Sequence, residues 1–365
     1  MKKTIVHIID NMSRGGAETM LVAVIKELSD YNNILVTLTD RNDFGSELQC
    51  DKKYCLHANS RWQLPFAAHR LKKIIKENNA SIVHSHLYWS TIVARMGTPR
   101  AVPLVSTIHT FASASVEYGP WHMRCMERLT YKIRKSSIIA VAQTALDDYF
   151  NYINVLPHKA YKLYTFANQS FLTDTAPAVK KNEPSVFRII TVGNLKDAKN
   201  HAFLLEVFKQ LKDKNIHLDI FGQGPLQQSL QQLIDEQQLP VTLKGQASGL
   251  DKIIREYDLY IMSSAYEGFS LSVLEAMAAG MPLLLSDIPS FKEQCGDAAI
   301  YFNLTNQSDF IDKLSVLMQD TERRETLGSS AKKRMLENFT IDKHVNSLQK
   351  IYTAAIALHP LPQPA

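Results

Sequence analysis

At 365 residues, 45% hydrophobic and 21% charged, the chain has the composition of an ordinary globular protein and the length for two domains with a core each. No apolar run approaches the roughly 20 residues of a membrane-spanning helix, and Cys50, Cys55, Cys125 and Cys295 follow no metal-ligand or disulfide-framework spacing, which points to free thiols in a reducing cytoplasm. The net charge of +5 divides unevenly, +8 over residues 1–165 (21 basic, 13 acidic) and −3 over residues 166–365 (20 basic, 23 acidic), so the first half expects an anionic partner; with no recognition module beside the charge, nucleic acid is excluded.

The first half alternates short apolar, β-rich runs with helical patterns. In MKKTIVHIID the apolar stretch runs only from Ile5 to Ile9 and Asp10 ends it, so it reads as a first strand rather than a signal peptide. A loop from Asn11 to Gly16 and a helix from Ala17 to Leu28 follow, with strands at Ile34–Thr39, Ser81–Ser85, Pro103–Ile108, Ile138–Ala142 and Tyr161–Phe166. That pattern is a parallel sheet covered on both faces. Gly15 and Gly16 stand directly before a helix start, where backbone can approach an anion and unpaired amides are available, although such a pair is also an ordinary turn. His84, His86 and His109 lie at strand ends, where open α/β sheets bind ligands. For His84 and His86 the plainer reading is one imidazole packed near a helix cap and one lining an acceptor cleft; nothing in their spacing suggests a metal.

Residues 121–135, WHMRCMERLTYKIRK, interleave Trp121, Met123, Met126, Leu129 and Ile133 with Arg124, Arg128, Lys132, Arg134 and Lys135. Such a helix either turns a basic face to water or lies on an anionic bilayer.

The polar stretch 168–185, NQSFLTDTAPAVKKNEPS, reads as an interdomain linker. Beyond it the architecture repeats. A strand at Phe187–Val192 leads into GNLKDAKN and a helix from His201 to Leu211; a strand at Ile216–Phe221 ends in GQGP; strands follow at Val241–Leu243, Leu259–Ser263, Leu283–Ser286 and Ala299–Phe302. Three helices, Ser308–Met318, Glu322–Glu337 and Asp342–Ala357, and a frayed tail, HPLPQPA, close the chain.

The most informative stretch is SSAYEGFSLSVLEAMAAGMPLLLSD, Ser263 to Asp287, in which a strand, a turn at Glu267-Gly268-Phe269, a helix from Ser272 to Ala279 and a second strand succeed one another. The amides from Gly268 through Phe269, Ser270 and Leu271 to Ser272 form a helix-start phosphate site. Glu267 before it and Glu275 inside the helix can accept hydrogen bonds from a sugar and a ribose. Ser272 and Glu275 also fit a capping box, in which Glu275 would bind no ligand.

EGFSLSVLEAMAAGMPLL resembles, nearly residue for residue, the E-x7-E donor motif of the retaining GT-B glycosyltransferases of family 4. GGAE resembles that family's N-terminal glycine loop, and the histidine in VPLVSTIHT, His109, its strand-end histidine beside the transferred sugar. GQGP, with Gly222 and Gly224, is similar to its G-x-G-P beside the nucleotide. Gly193 to Lys199 matches its G-R-L-x-x-x-K segment with one departure, Asn194 in the arginine position, which removes a permanent charge from the diphosphate site.

The resemblance implies two Rossmann-like, doubly wound parallel-sheet domains facing across a cleft. Residues 1–167 would bind the acceptor, 168–340 the nucleotide sugar, and 341–365 would form a helix crossing back to the first domain, and a tail. It further implies a hexosyl transfer from a nucleoside-diphosphate sugar, a UDP-sugar being favoured, to a glycan or lipid-linked hydroxyl acceptor in cell-surface polysaccharide or glycolipid synthesis. Retention of configuration, no metal and no cofactor beyond the co-substrate are expected. His109, Lys199 and Glu267 would be catalytic; Gly15, Gly16, Gly193, Asn194, Gly222, Gly224, the 268–272 amides and Glu275 would hold the donor; His84 and His86 would face the acceptor. A cytoplasmic protein, peripheral at the inner face of the membrane through residues 121–135, fits that role. Two alternatives remain: a catalytically silent nucleotide-sugar-binding protein, motivated by Asn194, and a dinucleotide oxidoreductase, disfavoured because no G-x-G-x-x-G follows the first strand.

Overall fold

Alternation of polar and apolar residues is absent from the central strands because both of their faces are covered. In β1 (Thr4–Ile9) and β4 (Ile82–His86) every residue is buried. These two are neighbours in a seven-stranded sheet with β2 (Asn32–Thr37), β3 (Lys52–Cys55), β5 (Leu104–Ile108), β6 (Ser137–Ala140) and β7 (Lys159–Lys162), in the order β3-β2-β1-β4-β5-β6-β7. All pairs are parallel. The computed structural model describes residues 2–172, 186–246 and 249–358, and the chain divides into two units, residues 1–165 with 341–365 and residues 166–340.

Sequence reading misses β3, and for a physical reason: KKYC is an edge strand whose two lysines are exposed, so it carries neither an apolar run nor alternation. The other edge strand, β7, ends at Lys162; the expected strand Tyr161–Phe166 overruns it by four residues.

The second unit has β8 (Phe187–Val192), β9 (Ile216–Phe221), β10 (Val241–Gly245), β11 (Leu259–Met262), β12 (Leu283–Ser286) and β13 (Ile300–Phe302), again all parallel, in the order β10-β9-β8-β11-β12-β13. In both sheets the chain starts in the middle, winds one way and then returns to wind the other, so β1/β4 and β8/β11 flank the switch points where such folds bind ligands. Ile189, Leu218, Ile220, Leu259 and Ile261 pack one face of the second sheet against Leu204, Val207, Phe208 and Phe310.

Most of the expected linker lies outside the described residues. Its first part is a 3-10 turn, Gln169–Leu172, with Phe171 buried and its carbonyl accepting Arg255 Nη2 at 2.7 Å, so this part is packed structure of the second unit rather than a linker. The helix Ile341–Ala357 groups with the first unit: Tyr352 bonds His84, and His344 Nδ1 lies 2.7 Å from the Tyr164 carbonyl. The tail HPLPQPA is outside the described residues.

Candidate donor site and a buried histidine cluster

The switch point of the second unit is built by stitching two loops together. Ser263, just past β11, donates its hydroxyl to the carbonyls of Lys199 and Asn200, each at 3.0 Å, and the Ala265 amide donates to Ala198 O at 2.9 Å. This brings Lys199, which follows β8, against Glu267, which follows β11. The ammonium donates to Glu267 Oε1, and Ser264 Oγ donates to the same oxygen at 2.9 Å. Both side chains are mostly buried, Lys199 18% and Glu267 14% exposed. The stem of Lys199 lies over Gly193, where an added Cβ would sit 3.1 Å from its Cε.

Gly222 and Gly224 bring a third loop into the same place. Gly222 has φ +146°, and a Cβ there would lie 2.0 Å from the Gly193 carbonyl oxygen; one on Gly224 would lie 2.4 Å from that of Leu195. The G-x-G spacing thus lets the backbone after β9 press against the 193–195 backbone. Asn194 is exposed at the mouth of this arrangement.

The helix after Glu267 begins one residue earlier than expected, Leu271–Ala278, with Ser270 at its N-cap position. That register removes the capping box: Ser272 is inside the helix, and no side-chain cap bond forms. Gln294 instead embraces Ser270, its Oε1 accepting the Ser270 amide at 3.1 Å and its Nε2 donating to the Ser270 carbonyl at 2.8 Å. The Ser270 amide is therefore already bonded, whereas the first-turn amides of Leu271 and Ser272 have no intrahelical acceptor. Gly268 sits in the preceding turn, and the Phe269 ring is buried against Phe339, centroids 5.3 Å apart. Glu275 is largely enclosed; burial, with Asp251 a smaller contributor, raises its carboxyl to about 7. Gln294, Ser264 and the wholly buried His201, whose two ring nitrogens lack partners, are the members of this site that sequence reading overlooked.

In the first unit Gly15 is the N-cap residue and Gly16 opens the helix Gly16–Glu27. The carboxyl of Glu18 folds back so that a Cβ on Gly15 would lie 2.4 Å from its Oε2. Glu18 is buried, its pKa is raised by that burial, and it occupies the electropositive helix start. An anion reaching this loop has to displace it. Asp10, at the end of β1, accepts the Ser90 amide at 2.8 Å and the Ser90 hydroxyl; burial raises it to about 6.

His84 and His86 are buried in a cluster completed by His7, a residue hidden inside the apolar run of β1. His84 has both nitrogens engaged, Nδ1 with Tyr352 Oη at 2.6 Å and Nε2 with Thr107 Oγ1 at 2.7 Å, so it holds the C-terminal helix and offers nothing to an acceptor. His86 Nδ1 lies 3.3 Å from His109 Nε2. His7 Nδ1 and His86 Nε2 have no partner, and both residues line a cavity of about 10 Å³, room for roughly one water. One potential ligand atom from each of His7, His84 and His86 lies within 4.8 Å of the others, but with His84 committed to Tyr352 and Thr107 the set falls short of three free imidazoles. Burial lowers His7 and His109 to about 4, and His84 and His86 well below the usual imidazole range, with neighbouring imidazoles adding to the last two.

The sequence matches the family Glycosyltransferase Family 4 over residues 14–168 and Glycosyl transferases group 1 over residues 174–334. The chain belongs to the family 4 glycosyltransferases. Among similar proteins, EpsF of Bacillus subtilis (strain 168), named as a glycosyltransferase, is 24% identical over 96% of both chains. The UDP-Gal:alpha-D-GlcNAc-diphosphoundecaprenol alpha-1,3-galactosyltransferase of Escherichia coli is 25% identical over 77% of each. The crystal structure of Anabaena Alr3699/HepE in complex with UDP-glucose superposes with a TM-score of 0.82 at 15% identity, covering 96% of this chain and 99% of that one. The two sheets are those of the GT-B fold.

Proposed function

We propose that this glycosyltransferase moves a sugar from a nucleoside-diphosphate sugar, a UDP-sugar in the first instance, to a hydroxyl of a lipid-linked glycan in cell-surface polysaccharide or glycolipid synthesis. The observation that carries the reading is the pairing of Lys199 with Glu267 at the second unit's switch point, one turn ahead of the Leu271 and Ser272 amides. Lys199 and those amides stabilise the departing diphosphate, Glu267 orients the sugar and Glu275 accepts the ribose hydroxyls. The E. coli relative uses UDP-Gal and a diphosphoundecaprenol acceptor, which supports both substrate classes.

Transfer proceeds with retention and without metal. The acceptor hydroxyl attacks on the face from which the diphosphate leaves, and a diphosphate oxygen takes its proton. On the first unit an open pocket of about 300 Å³, lined by Asp10, Asn11, Thr39, Asn59, Arg61 and Trp89, suits the acceptor glycan better than the buried His84 does.

Thermal shift against UDP-, GDP- and ADP-sugars identifies the donor. Transfer to an undecaprenyl-diphosphate glycan, with the anomeric proton coupling of the product read by NMR and chelator added to one arm, tests acceptor, retention and metal independence. Trp89→Ala should raise KM for the acceptor and leave that for the donor unchanged. Asn194 favours one second reading, a silent binding protein; donor binding without transfer or hydrolysis would establish it.

A further inference from the structure

The helix Trp121–Ile133 has its rotation fixed from inside. Met123, Glu127 and Tyr131 recur every four residues and are buried. Glu127 accepts Arg95 Nη1 at 2.7 Å, both side chains wholly buried, and also the Tyr149 hydroxyl; Tyr131 Oη accepts the His158 amide at 3.0 Å. Two residues along a helix turn through about 200°. Trp121, Cys125, Leu129 and Ile133 therefore fall opposite the locked face, and Trp121, Leu129 and Ile133 are 71%, 60% and 64% exposed. Of the two sequence readings, the basic face in water is disfavoured, because the exposed stripe is apolar and the arginines are used as bolts. Arg124 Nη1 donates to Gly119 O at 3.0 Å, Arg128 Nε to Ile153 O at 2.8 Å and Arg134 Nη2 to Val102 O at 2.7 Å. Lys132 stands exposed in the last turn of the helix and Lys135 is exposed two residues past its end.

A second helix repeats the composition. Ahead of and within Leu64–Glu77, Trp62 and Phe66 are exposed, and so are Lys72, Lys73 and Lys76. The helix Tyr88–Gly97 packs against both. Trp62 and Trp121 each open a helix that follows a strand, β3 and β5, so they stand at the carboxyl edge of the sheet, the edge that carries the Trp89 pocket.

We propose that this face seats on an anionic lipid bilayer, with Trp121, Leu129 and Ile133 entering the headgroup–acyl boundary and Lys132 and Lys135 among the lipid phosphates. Tryptophan favours that depth. A second copy of the chain fits less well: two-fold pairing would set like lysines face to face, and one helix stripe falls short of the roughly 800 Å² per partner of a stable interface. The proposal deepens the lipid-linked acceptor reading, but its test needs no turnover, so the two fail separately.

The full chain is sedimented with vesicles of phosphatidylcholine alone or mixed with phosphatidylglycerol, and its oligomeric state is followed by light scattering. Wild type should pellet with the anionic vesicles at low salt and be released by salt. Trp121→Ser, Leu129→Ser, Ile133→Ser together should cut partitioning at least about tenfold. Lys132→Gln with Lys135→Gln should cut it roughly fivefold per lysine. Both variants should melt as wild type does, since every altered side chain is exposed. With Trp62 and Trp89 replaced by Phe, Trp121 emission should shift to the blue on anionic vesicles. Wild type left in the supernatant, a triple-serine variant that pellets undiminished, or one whose only change is loss of a dimer would each overturn the proposal.

Discussion

Lys199 and Glu267 share a single hydrogen bond in the second unit, and the oxygen that accepts it also accepts Ser264 Oγ at 2.9 Å. Each charge is thereby held in place before any donor arrives, and each loses its partner when the other is removed. Lys199→Ala should lower kcat/KM by about 3 to 4 kcal/mol, the usual cost of one donor to a developing anion. Glu267→Gln should cost roughly 1.5 to 3 kcal/mol. In the double variant the costs should fall short of their sum by about 0.5 to 3 kcal/mol, because the pair acts as a unit. Strictly additive losses would separate the two residues functionally, and a fully active Lys199→Ala enzyme would remove Lys199 from the mechanism.

Glu275 carries a pH prediction. Burial raises its folded pKa from 4.5 to about 7, so the neutral acid is the form the fold prefers. Its favourable contribution is complete below about pH 4.5, declines as pH rises and is gone above about 7, a span worth about 3 kcal/mol. Glu275→Gln should therefore melt several degrees above wild type at about pH 8 and level with it at about pH 5. If ribose hydroxyls bond the ionised carboxylate, as proposed, they favour its charge, so UDP affinity of wild type should rise through the same window and that of the Gln variant should stay flat. A melting difference independent of pH would show that Glu275 titrates as a solvated carboxylate.

Gly222 tests the stitching of the loops. With φ at +146° and the Gly193 carbonyl oxygen 2.0 Å from a Cβ, Gly222→Ala must push the 193–199 segment aside. The expected cost is about 1 to 3 kcal/mol of stability, with a raised KM for the donor because Lys199 rides on that segment. An alanine variant with the melting point and donor KM of wild type would show that the two loops are not in contact.

What the sequence made legible here follows from burial. Strands β1 and β11 carry apolar runs, Ile5 to Ile9 interrupted only by His7 and Leu259–Met262 unbroken, and β4 and β8 carry shorter ones, Ile82 with Val83 and Ile189 with Ile190; a parallel sheet is the structure that hides such runs on both faces. Edge strand β3 stayed unread because its lysines face water. Lys199, Glu267 and Glu275 were found through a motif; that Lys199 meets Glu267 depends on β8 lying beside β11, a long-range pairing no spacing encodes. Ser272 looked like a cap, yet Gln294, 24 residues from Ser270, decides where that helix starts. Likewise the periodicity of residues 121–133 gives an amphipathic helix without its phase, which the buried Arg95–Glu127 pair supplies.

Acid should unfold the two units separately. In the first unit burial lowers His7, His109 and His344 to about 4, and His84 and His86 further, so all five gain protons on unfolding. Stability from these groups is fully present above the unfolded value of 6.5 and is lost as pH falls toward 4. Asp10 and Glu18, raised by burial, release protons on unfolding and offset part of this. Among the described residues the second unit has one such histidine, His201, lowered to about 4 mainly by burial, and Glu275 pulls in the opposite direction. All three tryptophans, Trp62, Trp89 and Trp121, belong to the first unit. Between about pH 6 and pH 4 tryptophan emission should therefore change before the far-ultraviolet circular dichroism is lost, and His84→Gln, which removes one of the five imidazoles, should make the acid dependence shallower. Coincident transitions by the two probes, or an acid slope unchanged in that variant, would place the acid sensitivity outside the histidine cluster.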